Sequence, residues 1–226
     1  MFDRLNLLIG EDNLKKIEDK TVLVVGLGGV GGYTVSSLAR SGIKKIIIID
    51  FDTVDISNIN RQIIAYHSTI GKKKTDVMET MLLDINPNIN VIKYDLFLKE
   101  DNISDIFSKH KIDYVVDACD FLSTKKAIIE YSVNNKIKFV SSMGTGNRLD
   151  PTQLEVVDIR KTSNDPIARI LRRWIKGNKI NQKIPVLCSK EVPIKTGAKV
   201  GSNSFVPAAA GLVIASYIIN DIIDAK

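Results

Sequence analysis

Cysteine is scarce in this chain. Cys119 and Cys188 are the only two among 226 residues, and they form no C-x-x-C pair. That argues against a disulfide framework and against thiolate zinc pairs, and it suits a reducing cytoplasm. The two histidines, His67 and His110, have no partners at metal-ligand spacing and read as surface residues. No uncharged apolar run reaches the roughly 20 residues of a membrane span. Pro207–Ile219 is strongly apolar but thirteen residues long, and Ser216, Asn220 and Asp221 interrupt or close it. It reads as a buried or subunit-interface helix; stable membrane insertion is not expected, while peripheral association through this helix stays open. Met1-Phe2-Asp3-Arg4 begins no signal peptide. Internal repeats, low-complexity tracts and interdomain linkers are also missing.

Acids are missing from one stretch. The net charge is +6, but Arg160 to Lys183 holds eight basic residues against the single acid Asp165. That segment carries +7, which leaves 24 basic and 25 acidic residues elsewhere. A focused patch on a neutral body suits a polyanionic partner. Within it, Asp165-Pro166 reads as an N-cap with proline at the first helical position, and Gly177 as the helix end. Ile167, Ile170, Leu171 and Trp174 form an apolar stripe. Arg169, Arg172, Arg173 and Lys176 repeat the same spacing as a basic one, either a solvated face or a polyanion grip.

What is present first is a strand, a glycine turn and a helix. Thr21–Val25 is a β-branched run that enters Gly26-Leu27-Gly28-Gly29-Val30-Gly31, followed by a helical pattern over Tyr33–Arg40. In this context Gly26 permits the tight turn, Gly28 lets backbone approach phosphate, and Gly31 lets helix pack on strand. Helix N-terminal amides and the dipole favour an anion there. A second run, Ile46–Ile49, ends at Asp50, nineteen residues after Gly31, where a ribose-binding carboxylate is expected. These residues predict an adenine-nucleotide site.

Strands and helices then alternate. A leader helix is expected over Leu5–Glu18, capped by Asp12 or Asn13, with Leu14 and Ile17 inward. Further helices are expected over Lys72–Asn86, Asp101–His110 and Thr124–Asn134, with strands at Val91–Tyr94, Tyr114–Val116 and Phe139–Ser142. Leu154–Ile159 reads as a strand, Asn178–Ala198 as loop with one short strand pair, and Pro207–Ile223 as a closing helix. The predicted fold is α/β: a doubly wound, mostly parallel sheet in a single domain spanning 1–226. Residues 1–150 form its nucleotide-binding core and 151–226 an extension. Asp50, Asp117 with Asp120, and Gly144–Gly146 all fall at strand carboxyl ends, so they converge on one crevice.

The literal glycine fingerprint fits a nicotinamide dehydrogenase, but the next residues do not. Asp50-Phe51-Asp52-Thr53-Val54, Asn58-Ile59-Asn60-Arg61-Gln62, Lys74 on the following helix and Asp117…Asp120 resemble the ubiquitin-activating superfamily. The resemblance implies ATP and magnesium, with Asn58 and Arg61 on the phosphates, Lys74 on the triphosphate, Asp50 on the ribose and Asp120 on the metal. Asp52, Gln62, Gly26, Gly28, Gly29 and Gly31 complete the nucleotide set. Arg4 matches an arginine that relatives extend across a homodimer to the partner's ATP. Phe121 stands where the superfamily usually has asparagine. Alpha-phosphoryl transfer is served by positioning and charge neutralisation, for which an Arg fork and a Lys point charge are suited.

Without zinc pairs or room for a catalytic-cysteine domain, the chain most resembles the tRNA threonylcarbamoyladenosine dehydratases. Leu-Leu-Ile-Gly-Glu in the leader, Ile-Asn-Pro at 85–87, Leu-Asp-Pro-Thr-Gln at 149–153 and Ser-Lys-Glu at 189–191 carry that likeness. It implies adenylation of a carboxylate on tRNA and ring closure, with the basic helix gripping tRNA. It also admits a sulfur-transfer protein as partner, and an alkali cation that the sequence does not place. The alternatives are adenylation of a sulfur-carrier protein, an NAD-dependent dehydrogenase, or a nucleotide-binding scaffold without catalysis. Cys119, inside D-x-x-D, and Cys188 both read as structural, since a thiolate beside carboxylates is disfavoured.

Overall fold

The computed structural model describes residues 1–197 and 199–224. Its elements, in chain order, are α1 (Asp3–Ile9), α2 (Glu11–Glu18), β1 (Thr21–Val25), α3 (Gly31–Arg40) and β2 (Lys45–Asp50). Then come α4 (Lys74–Ile85), β3 (Asn90–Asp95), α5 (Glu100–Phe107), β4 (Tyr114–Asp117), α6 (Leu122–Asn134) and β5 (Lys138–Ser142). The last are β6 (Leu154–Asp158), α7 (Pro166–Gly177), β7 (Pro185–Ser189) and α8 (Val206–Asp224). Seven strands join in the order β3-β2-β1-β4-β5-β7-β6, all parallel except β6, which runs antiparallel to β7. This is a doubly wound, mostly parallel α/β sheet, as expected.

Strand alternation splits the core into two layers. Val22, Val24, Ile46 and Ile48 face a layer with α3, α4 and α8; Leu23, Val25, Ile47 and Ile49 face one with α5, α6 and α7. β1 and β2 carry unbroken apolar runs, Val22–Val25 and Ile46–Ile49, because both faces are covered. β1 pairs with β2 on one side and β4 on the other, so the chain reverses direction of winding there. A crevice opens above their carboxyl ends, where such folds take ligands.

Three expectations need correction. The leader is two helices broken at Gly10 (φ 82°), and Gly10, rather than Asp12 or Asn13, precedes the second. On α7 the buried stripe is Ala168, Leu171 and Ile175, whereas Ile170 is exposed, because the helix is rotated by about one residue from the expected face. Gly177 ends α7 as expected, and the left-handed residue beyond it is Lys179 (φ 54°). The third is β7: a short strand pair was expected within Asn178–Ala198, but its one strand lies inside the sheet, parallel to β5 and antiparallel to β6, and fully buried.

α8 covers the Gly-turn side of the sheet. Gly211 touches α3 so closely that a Cβ would lie 2.4 Å from the Val30 carbonyl oxygen, and Thr34 Oγ1 donates to the Gly211 carbonyl at 3.2 Å. Its 19 residues are long and apolar enough to cross a membrane, yet Ile214, Ala215, Ile218 and Ile222 sit in the core. Packing explains its apolar character.

Candidate nucleotide and acyl-transfer site

A cleft of about 1010 Å³ lies above the sheet's carboxyl edge. On one side it is lined by Gly26, Gly28, Gly29, Asp50, Asp52, Asn58, Arg61, Gln62, Lys74 and Asp120; on the other by Gly144–Arg148 and the start of α7. Gly31 lies behind the turn and Arg4, on α1, is exposed and outside this lining. Two glycines are required by contact. Gly26 has φ 90°, and a Cβ there would meet the Ala118 carbonyl oxygen at 2.7 Å. A Cβ on Gly31 would fall 1.8 Å from the Gly26 carbonyl oxygen.

Asp50 holds the glycine turn. Its carboxylate accepts from Leu27 N at 2.6 Å and from Asp52 N at 2.8 Å. Burial pushes its pKa up, against the pull of Lys74 and those amides. Asp52 is the more open of the two and pairs with the buried Lys74 ammonium at 2.7 Å. Asn58 is buried and serves the backbone: Asp55 N donates to its Oδ1 at 3.2 Å, and Asp55 in turn accepts from Ser57 N at 2.8 Å. Arg61 donates to the Ser57 carbonyl at 2.8 Å and to Asn60 Oδ1 at 2.9 Å, and it has no carboxylate partner among the described residues. Gln62 is buried in the cleft wall with its Oε1 unpaired among the described residues. A cation without a carboxylate partner, a buried ammonium and a bare amide thus line the cleft on the same side as the glycine turn.

Asp120 is exposed in the cleft. Among the described residues no group of three or more His, Cys, Asp or Glu side chains could hold a metal alone. The donor set fits a magnesium ion held by one carboxylate together with phosphates and water, the usual habit of that ion. Cys119 Sγ donates to Asp117 Oδ1 at 3.1 Å, and burial with that carboxylate raises its thiol far above the ordinary range. Cys188 is buried and its thiol is pushed up to about 11. Phe121 closes an aromatic corner with Phe97 and Phe51, at centroid distances of 4.7 and 5.9 Å.

The opposite wall holds residues that sequence reasoning missed. Arg148 is 3% exposed and donates to the carbonyls of Gly144 (3.2 Å), Asn164 (3.1 Å) and Glu191, with Asp165 Oδ2 at 3.6 Å. Asp165 caps α7 through Ala168 N at 2.8 Å and accepts from Gly144 N at 2.9 Å. Glu191 takes the amides of Leu149 (2.9 Å) and Asp150 (3.0 Å), so the 149–153 and 189–191 motifs clip each other together. The buried Lys125 beside Asp117 was also unforeseen. On α7, Arg169, Arg173 and Lys176 are exposed, but Arg172 is committed to the Thr162 carbonyl at 3.0 Å and to its hydroxyl. Its place in the basic stripe is therefore withdrawn. His67 is exposed, whereas His110 is partly buried against the Tyr94 hydroxyl at 2.7 Å.

A glycine-turn nucleotide domain whose cleft adds cations and an exposed carboxylate without an ion pair among the described residues is a nucleotidyl-transferring type of site rather than a hydride-transfer one. The chain belongs to the ThiF family, whose model matches residues 2–220. It is 36% identical to the tRNA threonylcarbamoyladenosine dehydratase of Bacillus subtilis (strain 168) over 240 residues, covering 98% of this chain and 94% of that protein. Among solved structures, Escherichia coli tRNA N6-threonylcarbamoyladenosine dehydratase (TcdA) in complex with ATP matches with a TM-score of 0.93 at 35% identity, covering 98% of this chain and 93% of that one. The adenylyltransferase and sulfurtransferase UBA4 of Saccharomyces cerevisiae (strain YJM789) is 35% identical over 131 residues, 58% of this chain and 29% of that protein.

Proposed function

We propose that this chain uses ATP to adenylate the carboxylate of threonylcarbamoyladenosine in tRNA and then closes that side chain into a ring. The carboxylate oxygen attacks the α-phosphorus and pyrophosphate leaves. The modification's own nitrogen or oxygen then attacks the acyl carbon, AMP leaves, and a proton is lost. The sum is loss of one water from the nucleoside. Arg61 and Lys74 neutralise phosphate charge, Asn58 and Gln62 offer amides, and Asp50 with Asp52 serves the ribose end. Magnesium, held by Asp120, supplies charge neutralisation at the phosphates when bound.

The observation that carries this reading is the single cleft joining the Arg61–Lys74 wall to the start of α7. That helix, about 18 Å long, packs on the core through Ala168, Leu171 and Ile175 and leaves Arg169, Arg173 and Lys176 exposed, which would offer phosphate contacts to a tRNA entering the cleft. Exposed Leu7, Leu8 and Leu212 at the α1 and α8 surfaces support a homodimer, through which Arg4 would reach the partner's ATP. A cytoplasmic setting follows from that substrate.

The partial likeness to UBA4 supports a second reading, adenylation of a carrier protein, which the same phosphoryl chemistry allows. An AMP-release assay separates the two. AMP formed only with tRNA bearing threonylcarbamoyladenosine, with loss of one water's mass from the nucleoside, is expected. Exchange driven by a ubiquitin-like carrier ending in Gly-Gly, with the nucleoside unchanged, would defeat the tRNA reading. Binding of NADH but not ATP would defeat both.

A further inference from the structure

We propose that the buried Asp117–Lys125 pair is a positioning device that aims Asp120 at the nucleotide and its metal. The proposal rests on the adenylation reading above. β4 ends at Asp117, whose side chain is 0% exposed, and Lys125 on α6 is 1% exposed. Lys125 Nζ lies 3.1 Å from each Asp117 carboxylate oxygen and donates to the Ser142 carbonyl at 2.7 Å. Asp117 also accepts from Ser141 Oγ, from Cys119 N at 3.3 Å and from Cys119 Sγ at 3.1 Å.

Charges taken this deep lose their hydration, and a well-packed apolar pair would hold the two layers as well or better. Stability is therefore a poor reason for this pair. What apolar residues cannot do is direct a backbone. Ala118 N is held by the Val25 carbonyl at 2.8 Å, and Asp117 fixes the next amide, that of Cys119. Together they set the turn that presents Asp120, whose own carboxylate has no ion pair among the described residues and so takes its direction from that turn. Through Ser142, Lys125 also holds the end of β5, just before Gly144. One buried pair pins the turns on both walls of the cleft.

The test replaces the pair with apolar side chains of similar size, Asp117→Leu with Lys125→Met, which removes the acceptor for the Cys119 amide and leaves no unpaired charge behind. Calorimetry with a non-hydrolysable ATP analogue, with and without magnesium, is read beside AMP formation and the thermal midpoint. The double variant should melt near wild type and bind the metal-free analogue within about threefold. Its magnesium half-saturation should rise about tenfold, and kcat for AMP formation should fall about 100-fold with KM for ATP little changed, the scale of a 1 Å misplacement. Ser141→Ala, which loosens Asp117 without stranding a charge, gives a milder arm, with magnesium half-saturation up about threefold. Wild-type magnesium coupling and kcat in either folded variant would overturn the proposal while leaving adenylation intact. A wild-type chain that bound no ATP would overturn adenylation, and this proposal with it.

Discussion

The two walls of the cleft are built differently. On the nucleotide side the contacts are short in sequence or follow a motif: Asp50 to the amides of Leu27 and Asp52, Asp55 to Ser57, Asn58 to Asp55, Lys74 to Asp52. On the side of Gly144–Arg148 they reach far along the chain. Arg148 joins Glu191 across 43 positions, Leu149 joins Glu191 across 42, and Gly201 N donates to Asn147 Oδ1 across 54. The first wall is a set of turns that local sequence specifies. The second is a polar clamp between distant loops, and it stands only if its buried partners are all present.

That contrast can be broken deliberately, and the largest effect should fall on the nucleotide wall. Asp120→Asn keeps the shape but removes the carboxylate, so AMP formation should drop about 100- to 1000-fold. Unfolding free energy should move by less than about 0.5 kcal/mol, because the side chain is exposed. Unchanged turnover would place the metal elsewhere.

Arg148→Leu should do the reverse. It strands buried Asp165 and several carbonyls, which costs about 3–5 kcal/mol in denaturant unfolding. Metal-free ATP affinity should stay within about threefold, since no nucleotide-wall contact is lost. A collapse of ATP binding in a folded Arg148→Leu protein would show that the walls are not separable.

Neutralising Arg169, Arg173 and Lys176 together should flatten the salt dependence of tRNA binding by about three phosphate contacts, leaving ATP affinity alone. Arg172→Leu should leave that slope untouched and instead cost about 1–3 kcal/mol, because its guanidinium serves Thr162. A slope change from Arg172 alone would return it to the stripe.

The smallest effect is expected at Cys119. Its raised thiol pKa keeps it protonated through pH 8.5, where an ordinary thiol is half ionised. Alkylation there should run at least about tenfold slower than for a free thiol and accelerate only at higher pH. Cys119→Ala should retain AMP formation within about twofold. Rapid alkylation coupled to inactivation would mean that the thiol takes part in the reaction.

Much of this arrangement was legible beforehand, and the reasons differ by residue. The unbroken apolar runs of β1 and β2 mark them as inner strands, because both faces of such a strand are covered. Gly26 and Gly31 announce the turn, since a Cβ cannot fit at either place. The D-x-D, N-x-N-R-Q and D-x-x-D spacings put Arg61, Lys74 and Asp120 around one cleft because strand ends in a parallel sheet share an edge. Pro185–Ser189 falls where a short strand pair was expected, but it is only five residues long, and only β5 and β6 on either side make it a buried inner strand. Lys125 and Arg148 likewise look like ordinary surface cations in sequence. Only tertiary structure decided that they are buried, because burying a charge depends on a partner that the chain supplies from far away.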